Sequence, residues 1–314
     1  MIIGVDHGNA QIKTARCCFP AGLEEYSVMP PLASDVIEMD GRIWTLVGKR
    51  IPYMRDKTQN ESYFILTLFA ICKELEARQE YETRLSIDLA AGLPPEHYGS
   101  LRSTFSDYLN RKEPIRCRYN GREIELCLQN VFLYPQAYAA ASLRIAELRE
   151  FSRIFLVDIG GYTTDILLLR SGKPDLEYCR SLNMGIITMT NHIAGKVNAR
   201  FDLTLDEEHV SEVLSGKSSL SKDAQSMIRQ ETGRFAVGLL NKLRELQVDI
   251  RANRAYFVGG GSILLRPYLE QSPLVGSSAV YFDDPKANAI GYEKLAEAQL
   301  HRMARNGGVE GENR

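Results

Sequence analysis

The sequence predicts a duplicated α/β fold, and three observations carry that expectation. An apolar run at the start of the chain ends in Asp6-His7-Gly8-Asn9 and is followed by a second run holding Lys13. Residues 155–169 repeat the grammar: an apolar run, then Asp158-Ile159-Gly160-Gly161-Tyr162-Thr163-Thr164-Asp165, then Ile166 to Leu169. A third run, Tyr256-Phe257-Val258, ends in Gly259-Gly260-Gly261-Ser262. The first two read as a strand, a glycine-containing turn with Asp at the strand's end, and a returning strand. Two such turns facing each other would gather two carboxylates and many backbone N–H groups around one small volume. That volume suits a nucleotide's phosphates and a magnesium ion. Three glycines after a strand let backbone approach a flat ligand closely.

The remaining elements follow in order. Residues 36–44 alternate around Asp40-Gly41, which predicts a small β-hairpin. Residues 60–78 read as a helix, apolar on most sides early and charged late, hence buried with an exposed end. A strand at 85–91 is broken by Gly92-Leu93-Pro94-Pro95, and a helix follows at 97–109. Strands at 115–119 and 123–131 flank Asn120-Gly121, the strongest hairpin signal in the chain. A helix at 138–149 is entered through Tyr134-Pro135-Gln136. In the second half a strand near 176–180 follows the repeated hairpin, then helices at 186–197, 205–214 and 224–246. The strand at 255–258 precedes the glycines, and a last helix spans 287–304. Residues 306–314 read as a polar, disordered tail.

Composition narrows the function classes. A chain of 314 residues is long enough for two domains, and 44% apolar with 25% charged residues is ordinary for a globular protein. The net charge of −2, with Lys and Arg scattered, disfavours direct nucleic-acid binding. The six cysteines have no C-x-x-C pair and no zinc spacing, and Asp6 interrupts the apolar start, so no signal peptide is expected. The densest apolar stretch, 63–72, is half a membrane span. A reduced, cytoplasmic protein without membrane attachment follows. The pair Cys17-Cys18 reads as strand packing.

Two rival nucleotide motifs fail. Both Asp-x-Gly turns lead into strands, whereas a dinucleotide fingerprint opens a helix. Gly216-Lys217-Ser218 resembles the end of a P-loop, but Ser211 stands where its first glycine belongs and the segment follows a helix.

The order Asp6-x-Gly8 with Lys13, then Asp158-x-Gly160-Gly161-x-Thr163-Thr164-Asp165, then Val258-Gly259-Gly260-Gly261-Ser262 resembles the superfamily of actin, heat-shock chaperones and sugar kinases. Tyr134-Pro135-Gln136-Ala137-Tyr138 and Asn288-Ala289-Ile290-Gly291-Tyr292 look like its two connecting helices. Within it, Gly8-Asn9-Ala10-Gln11-Ile12-Lys13, Ala91-Gly92-Leu93-Pro94-Pro95 and Leu214-Ser215-Gly216-Lys217 are similar to the bacterial plasmid-segregation actins of the ParM and StbA type. The resemblance implies an actin-like ATPase fold: two duplicated ribonuclease H-like domains with a nucleotide cleft between them. It implies a first domain at 1–143 plus 288–305, with a hairpin subdomain near 33–60. The second domain is 144–287, with a helical subdomain near 192–250.

The same resemblance implies roles. Asp6 and Asp158 face Mg²⁺, largely through water, and act in catalysis. Gly8, Asn9, Gly160, Gly161, Thr163 and Thr164 supply N–H and hydroxyl groups to the phosphates. Lys13 pairs with phosphate, since an inward lysine on a strand needs a partner. Gln136 orients the attacking water. Gly259, Gly260 and Gly261 line the nucleoside, and Lys217 lies over the base or is a solvated lysine. Asp165 touches the water network or caps the turn, and His7 is a structural histidine.

The implied function is a filament-forming ATPase that uses ATP (or GTP) with Mg²⁺. Self-assembly would run head to tail, helped by the 36–44 hairpin. A centromere-binding adaptor would attach plasmid DNA. The alternative is a non-filamentous member of the fold, such as a small-molecule kinase or a chaperone-like ATPase.

Overall fold

The chain divides into two units, Met1–Leu143 with the residues from Lys286 onward, and Arg144–Pro285. The computed structural model describes residues 1–31 and 33–309, apart from the side chains of 306–309.

In the first unit, β1 (Ile2–His7), β2 (Gln11–Lys13) and β3 (Cys18–Pro20) form an antiparallel meander. β4 (Leu23–Tyr26) follows, then the hairpin of β5 (Val36–Met39) and β6 (Arg42–Leu46). Asp40 and Gly41 both have positive φ, 51° and 74°, the conformation that two-residue hairpin turns require. In α1 (Ser62–Ala77) every residue from Tyr63 to Cys72 is buried, as befits a helix apolar all round. β7 (Arg84–Leu93), α2 (Pro95–Leu109), β8 (Ile115–Tyr119), β9 (Arg122–Pro135) and α3 (Tyr138–Ser142) complete this run. Among the described residues the strand order is β3-β2-β1-β7-β9-β8-β5-β6-β4, with β1 parallel to β7 and β7 parallel to β9.

The second unit starts with α4 (Ile145–Glu150), β10 (Arg153–Ile159), β11 (Thr164–Arg170) and β12 (Lys173–Leu182). Helices α5 (Ile186–Phe201), α6 (Glu207–Leu214) and α7 (Lys222–Glu245) come next. β13 (Arg254–Val258), α8 (Gly260–Glu270) and β14 (Ala279–Tyr281) finish it. Its strand order, β12-β11-β10-β13-β14, repeats the first unit's β3-β2-β1-β7-β9. The duplication read from the motifs is therefore a duplication of topology. Finally α9 (Ala287–Val309) returns to the first unit and packs on β1, so closely that a Cβ on Gly4 would stand 2.2 Å from the Ala289 carbonyl oxygen.

Each unit has its own core. Ile3 and Val5 of β1, Ile87 and Leu89 of β7, and Phe105 of α2 close around α1. Phe155, Val157 and Phe257 pack with Ile193, Val197, Leu239 and Leu243 in the second. Each such fully buried side chain contributes about 1.5–3 kcal/mol by leaving water.

Several boundaries differ from the sequence expectation. The strand expected at 85–91 runs on through Gly92 and Leu93, because parallel pairing with β9 continues to Leu93↔Pro135. The helix expected at 138–149 is two short helices, broken at Leu143 and Arg144, where one unit ends and the other begins. β3, β4 and β14, three or four residues each, escape a periodicity reading altogether. The last helix extends to Val309, into the expected disordered tail, and 310–314 lie outside the described residues. Cys18 is exposed at the start of β3, and the half-buried Cys17 donates its thiol to the Lys73 carbonyl at 3.3 Å. All six cysteines are free thiols. No helix among the described residues is long and apolar enough to cross a membrane.

Candidate functional site

In the first unit the expected site residues gather at the β1–β2 turn. Parallel pairing with β7 buries β1, and the chain reverses directly after His7. The Gly8 N–H closes on the Asp6 carbonyl at 3.0 Å, and a Cβ on Gly8 would come within 2.5 Å of the Gln11 carbonyl, so the reversal requires glycine. Antiparallel register sets Asp6 opposite Lys13. Their side chains meet, with Lys13 Nζ 3.5 Å from Asp6 Oδ2. The other carboxylate oxygen, Oδ1, accepts a hydrogen bond from Gln136 Nε2 at 3.0 Å. Asp6, Lys13 and Gln136 are thus one connected group, although 130 positions separate Gln136 from Asp6. Lys13 has a carboxylate partner within the protein; its expected partner was a phosphate.

Asn9 is held from the side. Its Oδ1 accepts from the Tyr63 hydroxyl at 2.8 Å and from the Met54 N–H at 3.4 Å, tying the turn to α1. His7 is fully buried, with Nε2 2.7 Å from Thr67 Oγ1 and its ring edge-on to Phe105. Burial, reinforced by the nearby Lys57 ammonium, pushes its pKa down to about 3, so it is a neutral structural group at pH 7. Lys57 itself is buried, donates to the His7 carbonyl and lies 5.2 Å from the centre of the Tyr63 ring. Nothing in the polar segment Asp56-Lys57-Thr58 distinguished it from a surface lysine. A buried ammonium is costly in apolar surroundings, and here it sits against the very turn expected to meet anions.

The second unit builds the corresponding turn between β10 and β11. Register sets Asp158 opposite Asp165 and Ile159 opposite Thr164. The Gly160 N–H closes on the Thr163 carbonyl at 2.8 Å. The carbonyls of Gly160 and Gly161 accept from Ile186 and Ile187 at 3.1 and 2.7 Å, which satisfies two N–H groups at the start of α5. This packing explains Gly185, which the motif reading passed over: a Cβ there would stand 2.3 Å from the Gly161 oxygen. The Thr164 hydroxyl donates to the Met184 carbonyl at 2.6 Å, and Thr163 donates to Asp165 Oδ2 at 3.0 Å. The Gly160 N–H and the Thr164 hydroxyl, both expected to serve phosphate, are therefore engaged inside the protein. Gly161 and Thr163 lie at the half-buried tip.

The three glycines divide by role. Parallel pairing of β10 with β13 brings Gly259 beside Asp158. Gly259 has φ 85°, and a Cβ on it would lie 2.4 Å from Asp158 Oδ1. A Cβ on Gly261 would lie 2.5 Å from Ile159 Cγ2. These two glycines answer to close packing on the aspartate hairpin. Around Gly260 the nearest atom is 4.0 Å away, so that position alone is open. Lys217 is exposed and follows Gly216 (φ 77°) in the turn that ends α6, its N–H capping the Glu212 carbonyl at 2.9 Å. Neither fact brings it to the other expected site residues.

Metal chemistry can be judged from the donors. Among the described residues no three His, Cys, Asp or Glu side chains converge on one point. A caged metal is thus not what these residues suit. Within the second unit's hairpin, Asp165 opposite Asp158 supplies two carboxylates, hard oxygen donors of the kind a hydrated magnesium takes.

Residues 156–271 match the family of archaeal actin homologues described as MreB-like, C-terminal. No curated protein matches the chain in sequence. Among solved structures, an archaeal actin homologue is similar with a TM-score of 0.79 and 16% identity, over 95% of this chain and 99% of that one. That protein has also been solved with ADP. A ParM filament subunit from Clostridium botulinum, part of a 15-stranded filament, has a TM-score of 0.72 and 19% identity over 95% and 99%. The apo pSK41 ParM protein has a TM-score of 0.71 and 17% identity over 96% and 98%. Over nearly its whole length, then, the chain has the actin-like fold that archaeal actin homologues and ParM share.

Proposed function

We propose that this chain binds ATP with magnesium, hydrolyses it, and assembles head to tail into filaments. The observation that carries the reading is the repeated hairpin. Both units use one strand order, and in both an aspartate stands opposite a charged residue seven positions on, Lys13 in one and Asp165 in the other. On this reading each hairpin is a phosphate-binding turn.

Lys13 and Lys57 bring positive charge to the first turn, and the backbone N–H groups of Asn9 and Gly161 are the phosphate donors. Magnesium, when bound, neutralises phosphate charge, with Asp6 and Asp158 facing its water shell. Gln136 orients the attacking water. A carboxylate only accepts hydrogen bonds, so the amide must turn its nitrogen to Asp6, 3.0 Å away. The amide oxygen is then left to accept a proton-bearing bond from water. Phosphoryl transfer relies on such positioning and on charge stabilisation more than on a strong base.

The ADP complex of the archaeal homologue supports nucleotide binding, and the Clostridium botulinum filament supports assembly. Hydrolysis would weaken the filament, and an adaptor bound to a plasmid centromere would link it to DNA. A net charge of −2 is in keeping with a chain that leaves DNA contact to a partner.

The test is phosphate release per subunit across a protein concentration series. A rate that rises with concentration and is lost in Asp158→Ala supports polymerisation-coupled hydrolysis. A rate per subunit independent of concentration would instead point to a non-filamentous ATPase or a kinase of this fold.

A further inference from the structure

Gln136 sits in an unusual piece of backbone. The next residue, Ala137, is fully buried with φ 61° and ψ −46°, outside the left-handed helical region. The Tyr138 N–H reaches back to the Gln136 carbonyl at 2.7 Å, which closes a three-residue turn around Ala137. A turn of this hand is rare and strained for a residue with a Cβ, and such backbone persists only where its surroundings over-determine it.

Three anchors hold it within the first unit. The Gln136 N–H donates to the Leu93 carbonyl at 2.9 Å, at the end of β7. The Tyr138 bond is the second. The third is a side chain: Asn288, buried in the first turn of α9, accepts the Ala137 N–H on Oδ1 at 2.9 Å. Without that acceptor the buried Ala137 N–H would lose its partner, and the strained turn would lose the contact that faces it.

We propose that Asn288 is a positioning residue for ATP hydrolysis: it clamps Ala137 in the strained turn and so fixes the Gln136 amide against Asp6. The inference rests on the ATPase reading above and assigns the clamp to a residue 152 positions away from Gln136 in the chain. When the clamp is removed, Ala137 relaxes toward ordinary backbone angles, the Gln136 peptide rotates, and the water-orienting oxygen moves. Nucleotide binding does not depend on that oxygen.

The experiment measures kcat, KM and nucleotide affinity for Asn288→Ala, Asn288→Ser and Asn288→Ala combined with Ala137→Gly. Asn288→Ala is expected to lower kcat by about tenfold to a hundredfold, the scale of a misplacement near 1 Å, while nucleotide affinity stays within about twofold. Asn288→Ser keeps a polar group that is too short to reach, and should give the same loss should the alanine variant not fold. Glycine at 137 takes positive φ without strain, so the double variant should recover most of the lost rate. A clamp-free variant that binds nucleotide and hydrolyses at the wild-type rate would overturn the proposal, as would a rate defect that Ala137→Gly leaves uncorrected. Wild-type protein that binds ATP without releasing phosphate would overturn the ATPase reading itself, a result separate from either of these.

Discussion

The turns of the two aspartate hairpins have the same length and register, yet the residues facing their aspartates carry opposite charge. In the first unit Asp6 faces Lys13 and takes a second bond from Gln136, so its charge is compensated within the protein. In the second unit the residue opposite Asp158 is Asp165, another carboxylate. Like charges directly opposite on a sheet are unfavourable unless something cationic joins them. The first hairpin thus sets an ammonium against its aspartate, whereas the second sets two carboxylates opposite each other, one of which, Asp165, accepts from the Thr163 hydroxyl. A further difference lies one residue on. The first unit has the titratable His7 where the second has Ile159.

The largest expected effects separate the two hairpins by size. Asp6→Asn leaves a mostly buried Lys13 without its carboxylate, and should destabilise the nucleotide-free protein by about 2–4 kcal/mol in urea unfolding. Asp158→Asn relieves the repulsion between two facing carboxylates, and should cost clearly less than Asp6→Asn in the same measurement. Both should lose nearly all hydrolysis. Equal destabilisation by the two variants would break the comparison.

Next come the glycines that press on the second hairpin. Gly259→Ala meets both a positive φ and the Asp158 carboxylate, and should cost about 2–3 kcal/mol. Gly260→Ala enters open space at the start of α8 and should stay within about 0.5 kcal/mol of wild type. Chemical denaturation of the two variants side by side reads the difference.

A further effect is set by pH. His7 binds its proton with a pKa near 6.5 when unfolded and about 3 when folded, so between those values the unfolded chain holds more protons. Stability is thus full near neutral pH and falls as pH drops from 6.5 toward 3, by at most about 1.4 kcal/mol per unit. His7→Ile, which copies the second unit, should remove that part of the slope in denaturation measured from pH 7 to pH 4. Lys217→Ala should change stability by less than about 0.5 kcal/mol, and a fall in nucleotide affinity on that background would be the evidence that it reaches the base.

How much of this was legible in the sequence follows from how local each feature is. The seven-residue spacing of both hairpins, the Asp40-Gly41 and Asn120-Gly121 turns and the buried α1 are short-range patterns, and a sequence carries them openly. Lys57, Gly185 and the clamp from Asn288 to Ala137 depend on residues brought together by packing. Residue type alone says nothing of a buried ammonium or a strained alanine. The glycine run was half legible. Its presence at the end of β13 was plain, but only the register against β10 reveals that Gly259 and Gly261 serve the neighbouring aspartate strand.

The most direct measurement is right-angle light scattering after Mg²⁺ and ATP are added to the purified protein across a concentration series. Scattering that rises above a critical concentration, and fails to rise in Asp158→Ala, is the predicted result. A flat trace at every concentration, in protein that demonstrably binds ATP, would contradict filament assembly.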